Sequence, residues 1–448
     1  MSDKIGKTNR PIPDDWRIDS LKSVSLNGAK NGFFKKPELV GSGYKLVNVS
    51  ELYQSFGIDT RVESVERVAA TPADLAKYGV EKGDVFFTRS SLVLSGIAAC
   101  NIVRQLWEPT LFECHVMKMS PDTSKMFPEF VAYCCRDSYS RRYLMAQAKQ
   151  TTMTTISQPE IEQLPIPVAP LPEQKKIARI LTTLDNLIEK TEALIAKYQA
   201  IKQGMMHDLF TRGVDSSGQL RPTQQQAPDL YKQSELGWIP KEWDEDTLGS
   251  ICKWMSGGTP SKSNESYWTG AIPWVSPKDM KVFEISDSED HISEEAARVG
   301  TRRVPAGTVL IVIRGMILAH SFPVAITTRD VTFNQDMKAL SFDDTETARF
   351  VAHWFVTHKA KMVALATASS HGTKRFDLAD VYSIPIGMPT KEERERIVER
   401  IDVLDSKQKA EDRYLSKLRT QKSGLMQDLL TGIVRVKVDE AEEFVANV

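Results

Sequence analysis

The sequence predicts an α+β chain in which one unit is written twice, each copy a globular domain followed by a long helix. The two helices are expected to pack as an antiparallel coiled coil, giving the chain pseudo-twofold symmetry. Three observations carry this expectation: a repeat that spans the chain, short apolar runs broken by Gly, Pro and Ser, and an apolar heptad-like stripe at the end of each copy.

The repeat is plainest near its end. PEQKKIARILTTLDNLIEKTEALIAKYQAIKQGMMHDLFTRGV, from Pro172, aligns without a gap to EERERIVERIDVLDSKQKAEDRYLSKLRTQKSGLMQDLLTGIV, from Glu392, an offset of 392 − 172 = 220 residues. Glu173 falls on Glu393, Leu184-Asp185 on Leu404-Asp405, Lys202 on Lys422, and Gly204 on Gly424. The same offset joins Phe130-Val131-Ala132 to Phe350-Val351-Ala352 and Pro165-Ile166 to Pro385-Ile386. Farther upstream the register drifts, but IPDDW at Ile12 answers IPKEW at Ile239, and GDVFFTR at Gly83 answers GTVLIVIR at Gly307. A period this long indicates duplicated domains, because solenoid repeats run roughly 20–50 residues.

Within each copy, runs such as VFFT and VLIVIR read as short strands in a mixed domain. A Pro-rich edge, PIPVAPLP or PIGMPT, then ends a strand and introduces the helix. Pro172 suits a first helical position, and Thr390 with Glu393 has capping-box spacing. Ile177, Leu181, Leu184, Ile188, Ile195, Tyr198, Met205 and Leu209 form the first apolar stripe; Ile397, Ile401, Leu404, Leu415, Leu418, Leu425 and Leu429 form the second. At about 1.5 Å per residue, a helix of roughly 37 residues is about 55 Å long and would expose its stripe if left alone. Antiparallel pairing buries both stripes and sends the globular parts to opposite ends. Thr191, Lys202, Gln408, Glu411 and Lys422 interrupt the stripes and either set the register or face partners. The recurring Gly204 and Gly424, each costing about 1 kcal/mol in a helix interior, imply close helix approach.

The expected boundaries follow: a globular domain over 1–165, a helical region over 166–212, an exposed Ser-, Gln- and Pro-rich linker over 213–235, a second globular domain over 236–385, a second helical region over 386–432, and an acidic tail over 433–448. No run reaches the roughly 20 apolar residues of a membrane span, and the start lacks a signal-peptide core, so the chain is expected in the cytoplasm. Its five cysteines, odd in number and without CxxC spacing, read as reduced structural thiols and not as a disulfide framework or zinc site. The net charge of −1 excludes a uniformly basic nucleic-acid binder but not a polarised one. Residues 1–50 carry nine Lys/Arg against five Asp/Glu, whereas 284–295 carry six acids and neither Lys nor Arg.

Motifs for catalysis are missing. GxGxxG, GxxxxGK[ST], HExxH and GxSxG do not occur, and neither does a Pro-Pro pair of the kind that closes an adenine-methyltransferase motif. Asp122, Glu173 and Lys175 are a poor nuclease trio, because the last two sit in the charged first turn of a helix. His353 and His358, flanking the apolar WFV segment, read as helix-surface or satisfied core residues and not as ligands, and Trp16 and Trp243, at matched places, as core aromatics. No metal ligands or cofactor are expected on this chain. What remains is three matched pairs of polar loops suited to DNA. Gly257, Thr259 and Lys262 lie in SGGTPSKSN, and Asn27, Lys30, Lys35 and Lys36 lie in its counterpart. Arg89, Ser91 and Arg314 lie at strand ends, where a guanidinium forks onto a guanine edge. Lys149, Thr151 and Thr152 answer His371, Thr373 and Lys374.

At these residues the chain resembles the specificity subunits of type I restriction-modification systems, over nearly its full length. The resemblance rests on SELGWIPKEW at Ser234, IPWVSPKDM at Ile272, FNQDMKAL at Phe333, the two Pro-rich edges, and the helix endings GMMHDLFTRG and GLMQDLLTG. The first copy departs from the pattern with YKLVNVSEL at Tyr44 and FECHVMKM at Phe112. The resemblance implies two target-recognition domains, each reading half of a bipartite site in double-stranded DNA, separated by two conserved helices. It also implies docking of two methyltransferase subunits, addition of motor-nuclease subunits, and S-adenosylmethionine, ATP and magnesium bound in those partners. A non-catalytic subunit accounts for the missing motifs. The competing classes are a helical scaffold that never touches DNA and a stand-alone nuclease or methyltransferase.

Overall fold

The computed structural model describes residues 12–438, apart from 62, 64 and 369–372. Two compact units emerge. The first joins the chain up to Leu194 with the stretch from Glu411 onward, and the second is Ile195–Ala410. The structural units therefore differ from the sequence repeats: each takes half of both long helices, Leu171–Thr211 and Lys391–Thr431. At 41 residues each, the helices are slightly longer than the periodicity implied.

Each unit is built on the same five-stranded sheet. In the first its order is Lys30–Asn31, Val116–Met119, Val85–Thr88, Cys100–Gln105, Ile58–Asp59. In the second it is Lys253–Ser256, Met337–Ser341, Val309–Val312, Val324–Thr327, Glu284–Ile285. The matched strands VFFT and VLIV take the central place, as their wholly buried apolar runs require. One helix covers each sheet. Pro128–Arg136 buries Phe130, Val131, Ala132 and Tyr133, and Thr345–Thr357 buries Phe350, Val351, Ala352 and His353, so the sequence match marks equivalent faces. A smaller sheet, with one parallel strand pair, adjoins each: Val40–Val47 beside Thr110–Phe112, and Ile272–Val275 beside Val331–Phe333. The Pro-rich edges form strands, Pro165–Val168 against Arg17–Ser20 and Pro385–Met388 against Asp244–Thr247.

The helix halves pack antiparallel in both units. In the first, Lys422 Nζ donates to Asp185 Oδ1 at 2.5 Å and Arg419 Nη2 to Glu192 Oε1 at 2.6 Å, while Ile177 and Leu181 share a core with Leu429 and Leu430. In the second, Lys202 pairs with Asp405 at 2.5 Å, and Met206 and Leu209 share a core with Ile397 and Ile401. The residues identical between copies, Asp185/Asp405 and Lys202/Lys422, thus form one equivalent ion pair in each unit. Of the polar interruptions, the lysines set register and Thr191 satisfies its buried hydroxyl on the Leu187 carbonyl at 2.8 Å. Gly204 and Gly424 correct the expectation of close approach: a Cβ at either would meet nothing within 4 Å.

The helices end on Gly213 (φ +63°) and Gly432 (φ +71°), the left-handed terminus that glycine adopts without steric cost. A Cβ at Gly213 would stand 2.6 Å from the Trp243 ring, and one at Gly432 would stand 2.6 Å from Pro13. Beyond each glycine an arginine turns back onto the start of the other helix. Arg221 donates to Glu393 at 2.5 and 3.0 Å and to Glu242 at 2.7 Å. Arg435 donates to Glu173 and, at 2.8 Å, to both carboxylate oxygens of Asp15. The segment 213–235 is therefore not simply an exposed linker: Val214 and Arg221 are buried, and Tyr231–Ser234 pairs with Gly237–Pro240. Likewise the stretch read as tail contributes Arg435 and a packed Val436, and its acidic run from Asp439 lies outside the described residues. The capping box at Thr390 forms only in part. The Glu393 amide donates to the Thr390 hydroxyl at 3.4 Å, but the Glu393 carboxylate goes to Arg221. All five cysteines are free thiols, with Cys100, Cys134 and Cys135 buried.

Candidate nucleic-acid interface

In each unit a four-residue turn after a buried parallel strand gathers the predicted loops. In the second unit this turn is Phe333–Asp336. Gly257 packs where a Cβ would lie 2.2 Å from the Phe333 carbonyl and 2.4 Å from that of Asn334, so this loop needs glycine for close approach. Thr259 bonds through its hydroxyl to Gln335. Arg314 donates from Nε to Asp336 Oδ1 at 2.6 Å, and its strand, Arg314–Gly315, pairs with Lys374–Arg375. Lys374 stands opposite Gly315 and directs Nζ to the Ala366 carbonyl at 3.3 Å. Lys262 is exposed, Thr373 is half-buried, and His371 lies outside the described residues.

The first unit repeats the scheme around Phe112–His115. Phe33 donates its amide to the Phe112 carbonyl at 2.7 Å, which seats the loop carrying Asn27, Lys30, Lys35 and Lys36. The Arg89 amide donates to the His115 carbonyl at 2.7 Å, and its guanidinium reaches the Cys114 carbonyl at 3.4 Å. Strand Ser90–Ser91 pairs with Thr154–Thr155, which pairs with Lys149–Gln150. Arg89, Ser90, His115, Lys149 and Met153 line a recess of about 440 Å³. Asn27, Lys30, Lys36, Arg89, Lys149, Thr151 and Thr152 are exposed.

Two predicted residues are held by the protein instead. Ser91 is buried and its hydroxyl accepts the Val93 amide at 3.2 Å, so it shapes a turn. Lys35 donates to Asn48 at 2.9 Å and to Glu66, whose carboxyl it holds below the ordinary carboxylate range. The hub turns themselves were not among the expected site residues. Asn334, Gln335, Asp336 and His115, whose Nδ1 lies 2.6 Å from the Ser90 hydroxyl, are the polar groups that tie the loops together.

The carboxylates of other titratable clusters are engaged within the protein. Asp122 is held down to about 2 by Ser124 and Lys125, and Glu173 pairs with Arg435 at the helix end, so both carboxylates of the nuclease trio already have partners within the protein. Among the described residues, Glu113–Cys114–His115 and His353–Asp402–Asp405 place metal-ligating atoms near one another. The Glu113 carboxylate accepts the His115 amide at 2.9 Å, and burial and Glu113 push the Cys114 thiol up, away from the thiolate that metals prefer. Asp402 receives Arg349 at 2.6 Å and Asp405 receives Lys202. Among the described residues no helix is long and apolar enough to cross a membrane.

The structure thus defines a duplicated α+β chain whose two units each gather cations and hydroxyls on loops around one turn. The comparisons give the family. The model of the type I restriction modification DNA specificity domain matches twice, at 13–199 and 240–418. The chain is 26% identical over 442 residues to the MjaX type I restriction enzyme specificity subunit assigned in Methanocaldococcus jannaschii, covering 95% of each chain. It is 30% identical over 294 residues to the EcoR124I/EcoR124II specificity subunit of Escherichia coli, covering 65% of this chain and 67% of that one. The fold matches the crystal structure of the type I restriction-modification S subunit from M. genitalium with TM-score 0.60 and 16% identity, over 96% of this chain and 99% of that one. This chain belongs to the type I restriction-modification specificity-subunit family, and it is a non-catalytic DNA-specificity subunit.

Proposed function

We propose that each unit reads one half of a bipartite site in double-stranded DNA, with its gathered loops as the reading surface. The observation that carries this is the recurrence of one loop arrangement, with exposed cations, around Phe112–His115 and around Phe333–Asp336. In this reading Arg89, Arg314 and Lys374 address base edges, while Lys30, Lys36, Lys149 and Lys262 address phosphates. The long helices dock two methyltransferase subunits, and motor-nuclease subunits complete the assembly. S-adenosylmethionine, ATP and magnesium serve those partners, and the complex works in the cytoplasm on the cell's DNA.

Gel-shift titration of the complex with its methyltransferase subunit, on a random-sequence library and on selected sites, tests this. The expected result is a sequence-dependent shift whose salt slope falls by about one when Lys262 is replaced by Ala. A complex that shifts no DNA, or shifts every sequence alike, refutes DNA reading and leaves a helical scaffold.

A further inference from the structure

We propose that an apolar pair at one turn of each unit, Leu92–Val93 in the first and Met316–Ile317 in the second, reads thymine 5-methyl groups in the DNA major groove. The inference rests on each unit being a half-site reader and adds a specificity determinant outside the predicted polar loops.

The two pairs occupy the same place in the fold. Each follows a two-residue strand of the small loop sheet, Ser90–Ser91 or Arg314–Gly315, at the entry to a 3-10 turn, Leu94–Gly96 or Met316–Ala319. They point outward: Leu92 is 84% exposed, Val93 58%, Met316 69% and Ile317 41%. The same turns bury Ile97 and Leu318 completely, so the exposure is not general looseness of the segment. A single exposed hydrophobic residue needs no explanation, but adjacent pairs recurring at one turn of two divergent copies do.

Their surroundings select the ligand. Leu92 and Val93 line a recess with Ser90, His115 and Met153, and those last three also line the recess of Arg89 and Lys149. Met316 directly follows Gly315, whose strand partner is Lys374. Apolar tips therefore stand beside cations suited to phosphates and guanine. On the groove edge of a base pair, the apolar group available to such a tip is the thymine methyl.

The test uses the complex with its methyltransferase subunit. Methylation mapping first defines the half-sites; duplexes carrying deoxyuridine for thymidine at one position at a time are then titrated. Wild type is expected to bind about four- to tenfold more weakly when one particular thymine of each half-site loses its methyl. The double variant Leu92→Ser with Val93→Ser abolishes that sensitivity in one half-site only, and Met316→Ser with Ile317→Ser abolishes it in the other. Because these side chains are exposed, the variants keep the wild-type melting temperature. Indifference of wild type to deoxyuridine, a half-site without thymine, sensitivity that survives the serine variants, or loss of the methyltransferase subunit from those variants each overturns the proposal. Sequence-specific binding without methyl sensitivity defeats this inference alone, whereas loss of all sequence preference defeats the half-site reading as well.

Discussion

His353 shows how a single residue changes an otherwise repeated joint. At the matched position of the first unit, Tyr133 stacks on Phe56, with ring centroids 4.0 Å apart, and its hydroxyl donates to Asp185 at 2.7 Å. His353 stacks on Phe283 at 4.5 Å, but neither ring nitrogen has a hydrogen-bond partner, and Nε2 lies 3.6 Å from Asp402. Burial holds its pKa below the ordinary 6.5, against the pull of Asp402 and Asp405 and with the repulsion of Lys202. Above the ordinary value both folded and unfolded chains carry a neutral ring. Between it and the lower folded value, only the unfolded chain takes up the proton, so stability falls as pH drops below about 6.5. His353→Tyr supplies the donor of the first unit and removes the titration; thermal melts from pH 8 to pH 5 should show a shallower loss than wild type. An unchanged pH profile would show that this histidine does not govern it. The sequence offered His353 as a helix-surface or satisfied core residue and Trp16 and Trp243 as core; all three are buried, but the His353 ring is not satisfied. The lack of a partner for its ring was not legible, because partners come from an element about 50 residues away.

At the scale of elements, the arginines that fold back past each helix end were invisible in the sequence because they lie in segments of linker-like and tail-like composition. Their partners were partly visible, since Glu173 and Glu393 are identical positions of the repeat. The two clasps differ in burial. The side chains of Arg221 and Glu393 are 6% and 3% exposed, whereas that of Arg435 is 44% exposed. Arg221→Ala leaves a buried carboxylate uncompensated and is expected to cost about 3–5 kcal/mol. Arg435→Ala frees the exposed Asp15 and strands Glu173, whose side chain is 9% exposed, but opens to water the place of a half-exposed guanidinium, so it should cost less than Arg221→Ala. Denaturant unfolding of the two variants checks the order, and equal losses would contradict the assignment of burial as the cause. Helix periodicity, Pro-rich edges and the Gly83 and Gly307 turns were legible because each is set by local rules. The partner of each half-helix was not, since a repeat aligns copies without saying which half packs on which.

For the whole molecule, the duplication explains why one chain carries two matched loop assemblies on scaffolds with the same strand order. The family's non-catalytic role agrees with the absence of catalytic motifs from the sequence. The polar loops could be found from the sequence because they recur as pairs. The hub turns could not be recognised as their meeting point, because FECH and FNQD share only the phenylalanine and serve through backbone carbonyls and through side chains of different type. The apolar tips were passed over for a similar reason, since exposure is invisible until the turn is built.

The central claim is that each unit reads its own half of one site. Single-molecule methylome sequencing of a host carrying the complex, with wild type beside Arg89→Ala and Arg314→Ala, tests it most directly. The account predicts a bipartite motif in which Arg89→Ala relaxes one half, Arg314→Ala relaxes the other, and each leaves its opposite half intact, with losses of about 1–3 kcal/mol at the affected base pair. A continuous motif, or a loss of both halves from either substitution in a stably folded complex, would contradict it.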